Sequence, residues 1–504
     1  MAQTVRALLD AGAADAPAIG CEGRPDLTHG GLRAFADEVV ARLNGFGIGR
    51  GDRVAIVLPN GPEMATAFVT IACGATTAPL NPAYRADEFD FYLSDLGAKA
   101  LVVAADYDGD ALKVAEQKGV PVLRLAPRAG AAAGLFDLSG DISGAPASGG
   151  MAGPDEVALV LHTSGTTSRP KIVPLSHANV SASAAHIRAA LALVPGDRCL
   201  NIMPLFHIHG LIAAVLSSLG AGASTWCSPG FNALRFFAWV ETAKPTWYTA
   251  VPTMHQAILG RADRNQATIK AFPLRLIRSS SSSLPPQVMA ELEEVFGCPV
   301  IESYGMTEAA HQMASNPLPP AARKPGTVGI AAGPEVGIMD LDGNLLASGA
   351  TGEVVIRGPN VTAGYEANPK ANAEAFTNGW FRTGDQGVID AGGYLTITGR
   401  LKEIINRGGE KISPREVDEI LMDHPAVAQA VTFAMPHPKL GEDVAAAVVL
   451  REGQAASERD LRDFCATRLA DFKVPRKVLV LDEIPKGATG KLQRIGLAAK
   501  LGLA

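Results

Sequence analysis

An alternation constrains this chain more than any other feature. For about three hundred residues, short apolar runs of strand length alternate with segments of helical period. In GDRVAIVLPN, residues 54–58 form a continuous apolar run. Residues 61–74 then place Met64, Phe68, Ile71 and Ala72 near one helical face. Residues 100–103 and 157–161 again read as buried strands. Strands apolar on both faces need cover on both sides, which favours parallel sheets between layers of helix. After about residue 325, VGIMDLDGNLL, GEVVIRGPNV and GYLTITGR are short β runs divided by Gly, Asp and Asn turns, and they predict a β-rich subdomain. Beyond Arg400, residues 417–422 and 458–469 read as helices, and 428–434 and 445–450 as strands. The predicted architecture is α/β: a large N-terminal domain over residues 1–400, made of helix-covered sheets plus the β-rich subdomain, and a small α+β C-terminal domain over residues 401–504. Residues 127–156, rich in Ala, Gly, Ser and Pro, read as a long, partly mobile surface connection.

Composition narrows the function classes. With 47% hydrophobic and 19% charged residues the chain is not disordered. Lys plus Arg number 45 against 51 Asp plus Glu, a net charge of -6, which argues against a protein built to coat nucleic acid. The six cysteines include no C-x-x-C pair, so neither a zinc ribbon nor a redox dithiol is indicated, and the usage fits a reducing compartment. The first residues lack the basic and apolar regions of a signal peptide. The apolar stretch 211–226 is broken by Ser and Gly and falls short of a ~20-residue span. The last four residues, LGLA, match no retention or peroxisomal signal. The expectation is a cytoplasmic enzyme.

The segment richest in chemistry follows the apolar run 157–161. Thr163, Ser164, Gly165, Thr166, Thr167, Ser168, Arg169, Pro170 and Lys171 bring five hydroxyls, one glycine and two cations together at a strand end. Hydroxyls and turn amides donate to phosphate oxygens, and the cations neutralise them. A Ser/Thr-rich surface turn is the plainer alternative. The loop is not a Walker A motif, because Lys171 is flanked by Pro170 and Ile172. No Rossmann fingerprint or G-x-S-x-G elbow is present.

Further motifs follow in order: Tyr304-Gly305-Met306-Thr307-Glu308, Thr383-Gly384-Asp385, Thr398-Gly399-Arg400, Gly408-Gly409-Glu410-Lys411 and Gly490-Lys491. With the loop, this order resembles the adenylate-forming superfamily of acyl-CoA synthetases, adenylation domains and luciferases, along essentially the whole chain. The resemblance implies ATP, Mg²⁺ and coenzyme A as cosubstrates, a mobile C-terminal domain and small-molecule partners only. It assigns Mg²⁺ to Glu308 and Thr163. Nucleotide contacts fall to Thr163, Ser164, Gly165, Thr166, Thr167, Lys171, Ser282, Tyr304 against the adenine, Gly305, Thr307 at the α-phosphate, Asp385 and Arg400 at the ribose, and Lys491. Lys491 would enter the site during adenylation, Lys402 would be the pivot, and the loop of Gly408, Gly409 and Lys411 would serve the CoA step. The implied catalytic set is Lys491, Glu308, Thr163 and His207.

Three features bear on the acid. PLFHIHG sets His207 and His209 two apart, residues 279–283 are five serines, and His311 follows Glu308 by three. If that segment turns helically, His311 shares a side with Glu308. His209 reads equally as a packed core histidine, the serines as a solvated turn. Taken together they describe a small polar hole with histidines able to carry positive charge, suited to a short dianionic acid. FHIHGL, TWYTAVPTMHQ, IRSSSSSL, MTEAAHQMASNPLP and INRGGEKISP are similar to plant and fungal oxalate–CoA ligases. That resemblance implies substrate contacts from His207, Ser281 and His311. Ile172, Ser280 and Ser282 depart from its pattern. Malonyl-CoA synthetases, which share F-H-x-H-G, are the competing reading.

Overall fold

A computed structural model describes residues 2–163, 170–485 and 492–503. Among the described residues the strands form four sheets. The seven-stranded sheet is parallel through its centre, where Arg53–Val57 lies between Thr76–Pro79 and Ala100–Ala104, and antiparallel at both ends. Its central strands are apolar on both faces, as the alternation predicts, and Val54, Ala55 and Ile56 are wholly buried. The helix Pro62–Ala72 starts with proline at its first turn, where a missing N–H costs nothing. Residues 64–72 of that helix are all buried, because strands and other helices surround it.

The nine-stranded sheet runs parallel from Val300–Met306 through Leu276–Ser279, Trp247–Ala250, Arg198–Asn201 and Ser224–Cys227 to Pro17–Cys21. Antiparallel strands close both edges. The apolar stretch 211–226 lies inside the protein: a π-helix, His209–Leu216, is entirely buried and continues into Ser217–Gly220. No helix among the described residues is long and apolar enough to cross a membrane.

The β-rich texture after residue 325 is a five-stranded antiparallel sheet of Glu335–Met339, Thr351–Arg357, Phe376–Thr377, Trp380–Ile389 and Leu395–Arg400. The fourth sheet lies entirely beyond Arg400 and pairs the long strands Val427–His437 and Gly441–Leu450. Its two apolar clusters draw only on residues after 404. The helix Pro414–Met422 packs on it, and Glu458–Ala466 ends three residues short of the expected helix.

One expectation needs correction. Residues 127–156 are not simply a surface connection. Phe136–Ser139 is an edge strand paired with Val122–Pro127. Phe136 is buried edge-on against Phe35 at 4.8 Å, and Leu138 is buried too.

Candidate active site

Ligand sites in open α/β sheets lie beyond the carboxyl ends of parallel strands, and the predicted residues gather there. His207 follows Arg198–Asn201, Ser281 and Ser282 follow Leu276–Ser279, and Thr307 and Glu308 follow Val300–Met306. Thr163 ends the strand Val157–Thr163 of the seven-stranded sheet. Together with Tyr304, Gly305, Asp385 and Arg400 these residues line one cleft of about 420 Å³.

The nucleotide end is cross-braced. Lys171 opens the strand Lys171–Ser176 and pairs antiparallel with Thr163. Its Nζ lies 4.3 Å from the centre of the Tyr365 ring. The Tyr365 hydroxyl donates to Glu308 Oε1 at 2.8 Å. Burial pushes the Glu308 carboxyl up, while Tyr365, Arg400 and Lys171 pull it back toward the ionised form. Asp385 accepts from the Tyr304 hydroxyl at Oδ2 and from Arg400 Nε at Oδ1, the latter at 2.9 Å. Asp385 in turn holds the Arg400 guanidinium above its ordinary range. No group of three or more metal-capable side chains occurs among the described residues. The buried carboxylate of Glu308 on the cleft wall nonetheless fits Mg²⁺, which is bound by one or two carboxylates plus substrate phosphates rather than by an all-protein cage.

The acid end differs from the expectation in two respects. The segment after Glu308 is only a 3-10 turn, Thr307–Ala309. Ala310 (φ 47°) and His311 (φ 98°) then take left-handed backbone and open the strand His311–Ser315. His311 is therefore carried behind the cleft wall and is 1% exposed, not set on a helical face beside Glu308. Second, the fixed cation is not a histidine. Arg278, wholly buried on Leu276–Ser279, directs Nη1 at His209 Nε2 and at His311 Nε2, each at 3.3 Å. A guanidinium has no acceptor, so both ring nitrogens facing it must accept. His209 is buried, as its plainer reading expected, yet it is no inert core residue: Nδ1 lies 3.0 Å from Ser281 Oγ and Nε2 lies 2.6 Å from Thr249 Oγ1. The serine run is solvated only at its far end, where Ser282 and Ser283 are exposed. Ser279 and Ser280 are buried, Ser280 Oγ donates to Ser303 O, and Ser281 is held in left-handed backbone (φ 71°).

Ser164, Gly165, Thr166, Thr167 and Lys491 lie outside the described residues. Leu492 and Arg494, just past Lys491, line the cleft. Arg494 pairs with Asp418 at 2.6 Å and Glu403 at 3.3 Å, and donates to Thr432 O at 2.8 Å. Lys402 is exposed in the turn after Arg400. Gly408 and Gly409 turn the exposed hairpin of Ile405–Arg407 and Glu410–Ile412, which carries Lys411 and does not line the cleft. Sequence reasoning missed Arg278, Thr249, Tyr365, Arg494 and Gln312, whose Oε1 accepts from Arg278 Nη2 at 3.0 Å. Only Arg278 had a legible signal, a charge directly after the apolar pair Leu276 and Ile277.

Comparison with known proteins agrees with this geometry. The AMP-binding enzyme family matches residues 9–366, and the AMP-binding enzyme C-terminal domain matches residues 416–491. The chain is 46% identical to the oxalate–CoA ligase of Arabidopsis thaliana, covering 95% of this chain and 94% of that one. It is 43% identical to the oxalate–CoA ligase of Saccharomyces cerevisiae, covering 88% and 86%. Among solved structures, ATP-bound MatB from Rhodopseudomonas palustris superposes with a TM-score of 0.87 at 30% identity, covering 98% and 97%. On the extent of these matches, the chain belongs to the AMP-binding enzymes and carries their C-terminal domain.

Proposed function

We propose that this protein is an ATP-dependent acid–CoA ligase acting on oxalate. The acid's carboxylate attacks the α-phosphate of ATP and expels pyrophosphate, and the thiol of coenzyme A then displaces AMP to give oxalyl-CoA. The observation that carries the acid assignment is Ser281, half-buried on the cleft wall and backed by the buried, mutually bonded group of His209, Thr249, Arg278 and His311. An apolar tail would face the Ser281 hydroxyl on the cleft wall without offering it an acceptor, whereas a second carboxylate offers one beside the fixed charge of Arg278. The identity to two oxalate–CoA ligases supports the same reading.

In this reading Tyr304 and Asp385 orient the adenine and ribose, with Arg400 holding Asp385. Thr307 and the loop of Thr163 to Thr167, with Lys171, hold phosphates. Glu308 and Thr163 would hold Mg²⁺, which would supply counter-charge for the phosphate oxygens. His207 and Ser281 meet the acid at the cleft wall and His311 supports them from behind. Lys491 enters for adenylation by electrostatic stabilisation of the developing charge. The domain boundary falls between residues 400 and 401, with Lys402 as pivot and the Gly409 hairpin serving the thioester step. The substrates are small and diffusible, and all six cysteines are free thiols, which fits a cytoplasmic setting. The test is acid-dependent ATP–pyrophosphate exchange followed by thioester formation, run with oxalate, malonate, acetate and hexanoate. Oxalate should give the highest kcat/KM; a preference for hexanoate or acetate would refute the assignment.

A further inference from the structure

Arg278 is one of the largest wholly buried side chains among the described residues. Its partners are His209 Nε2 and His311 Nε2 at 3.3 Å, Thr249 Oγ1 at 3.4 Å and Gln312 Oε1 at 3.0 Å. Among the described residues no carboxylate lies within ion-pair distance of it. Burial pushes the guanidinium down to about 9, which leaves it charged at neutral pH. A buried cation without a counter-ion is costly.

The contacts show what it acts on. Arg278 donates to the Nε2 atoms of two histidines, so each neutral ring carries its proton on Nδ1. The Nδ1–H of His209 then donates to Ser281 Oγ at 3.0 Å. Ser281 lines the cleft, and with one lone pair engaged its hydroxyl hydrogen is left free to donate to an acceptor there. Ser281 holds this position against its backbone preference, at φ 71°. The chain of donors runs in one direction, from the guanidinium through an imidazole and a hydroxyl to the cleft, with positive charge fixed at its buried end.

We propose that Arg278 is the positioning residue that sets acid specificity. Its charge and its lock on the His209 and His311 tautomers select an acid with a second, distal carboxylate over a monocarboxylate. This rests on the acid–CoA ligase reading and deepens it. A distal carboxylate meets the oriented Ser281 donor and the field of the buried cation, while a methyl group in the same place meets neither.

The experiment compares wild type, Arg278→Met and Arg278→Lys with oxalate and acetate, reading KM, kcat and ATP affinity separately. The Met variant should raise the oxalate KM roughly 30-fold or more, the scale of a lost charge-assisted hydrogen bond. Acetate kinetics and ATP affinity should move less than about threefold. The Lys variant, keeping charge without the fork, should recover part of the oxalate loss. If Arg278→Met does not fold, the Lys variant decides alone: a selective rise of about tenfold in oxalate KM supports the role, and a wild-type value overturns it. Equal losses for both acids, or a fall in kcat with KM unchanged, make Arg278 structural and overturn the proposal. The ligase reading fails separately, in wild type, if no dicarboxylate is activated at all; the specificity role then falls with it.

Discussion

Buried charge at single residues sets the local chemistry. Glu302, on Val300–Met306, accepts the Leu284 N–H at Oε1 and so anchors the end of the serine turn. Burial pushes its carboxyl from 4.5 up to about 7. The folded protein thus holds a proton there that the unfolded chain releases between those values. The contribution to stability is fully present below about 4.5, is lost as pH rises toward about 7, and is flat above. In Glu302→Gln the amide oxygen can still accept from Leu284, and no charge forms. The melting temperature of the variant relative to wild type should therefore rise between pH 5 and pH 8, and an offset independent of pH would contradict the placement of the proton. Tyr365 makes a second case. Its hydroxyl orients Glu308 Oε1, so Tyr365→Phe should raise the Mg²⁺ concentration needed for half-maximal activity roughly tenfold, the usual scale for a group supporting a metal ligand. Turnover at saturating Mg²⁺ should stay near wild type; an unchanged Mg²⁺ requirement would remove Glu308 from metal binding.

Among the elements, the hairpin of Val300–Met306 and His311–Ser315 joins the two ends of the site. Tyr304 faces Asp385 from it and His311 faces Arg278. The strands come so close that a Cβ at Gly305 would sit 1.7 Å from His311 O and 2.7 Å from its Nδ1. Gly305→Ala must part them, and should cost at least about 2–3 kcal/mol by the usual scale of overpacking. Urea unfolding measures this, and a stability within about 0.5 kcal/mol of wild type would show that the hairpin yields freely. This hairpin also marks where the sequence stops being readable. The runs at 54–58 and 100–103 announced their strands because both faces are apolar, and Thr163 with the residue types of YGMTE marked the cleft wall. The path of His311 was hidden, since it depends on two non-glycine residues in left-handed backbone, a choice forced by packing and opposed by local preference. The strand Phe136–Ser139 was hidden because only Phe136 and Leu138 face the core, inside a stretch dominated by small residues. Arg278 was visible as a charge, but its role follows from the pairing of Leu276–Ser279 with Trp247–Ala250 and Val300–Met306, which sets it among residues distant in sequence.

The whole molecule must run two reactions in one cleft, and its C-terminal part is held in a particular orientation. Arg415 donates to Ile397 O at 2.7 Å, Gln256 donates to Ala428 O at 2.9 Å, and Gln287 bonds Asp423 across the same junction. This orientation brings Leu492 and Arg494 to the cleft and leaves the Gly408–Gly409 turn exposed away from it. Arg494 is held within the C-terminal part by Asp418, Glu403 and Thr432, which anchors the chain three residues beyond Lys491. In the reading proposed above, adenylation uses this orientation and thioester formation uses the other face. Lys491→Ala should nearly abolish acid-dependent ATP–pyrophosphate exchange, a loss of several powers of ten on the scale of removed electrostatic stabilisation, while CoA transfer from preformed oxalyl-adenylate survives. Gly409→Leu should do the reverse. Gly409 has φ 102° and open space around the position of a Cβ, so leucine there strains the turn by about 1 kcal/mol without meeting a neighbour in this orientation. Pyrophosphate exchange should persist, and the thioester step should fail once rotation carries the bulk into the path of the pantetheine arm. Measuring both half-reactions in both variants separates one fixed site from two alternating ones: if each substitution lowers both half-reactions in equal proportion, the C-terminal part does not exchange faces.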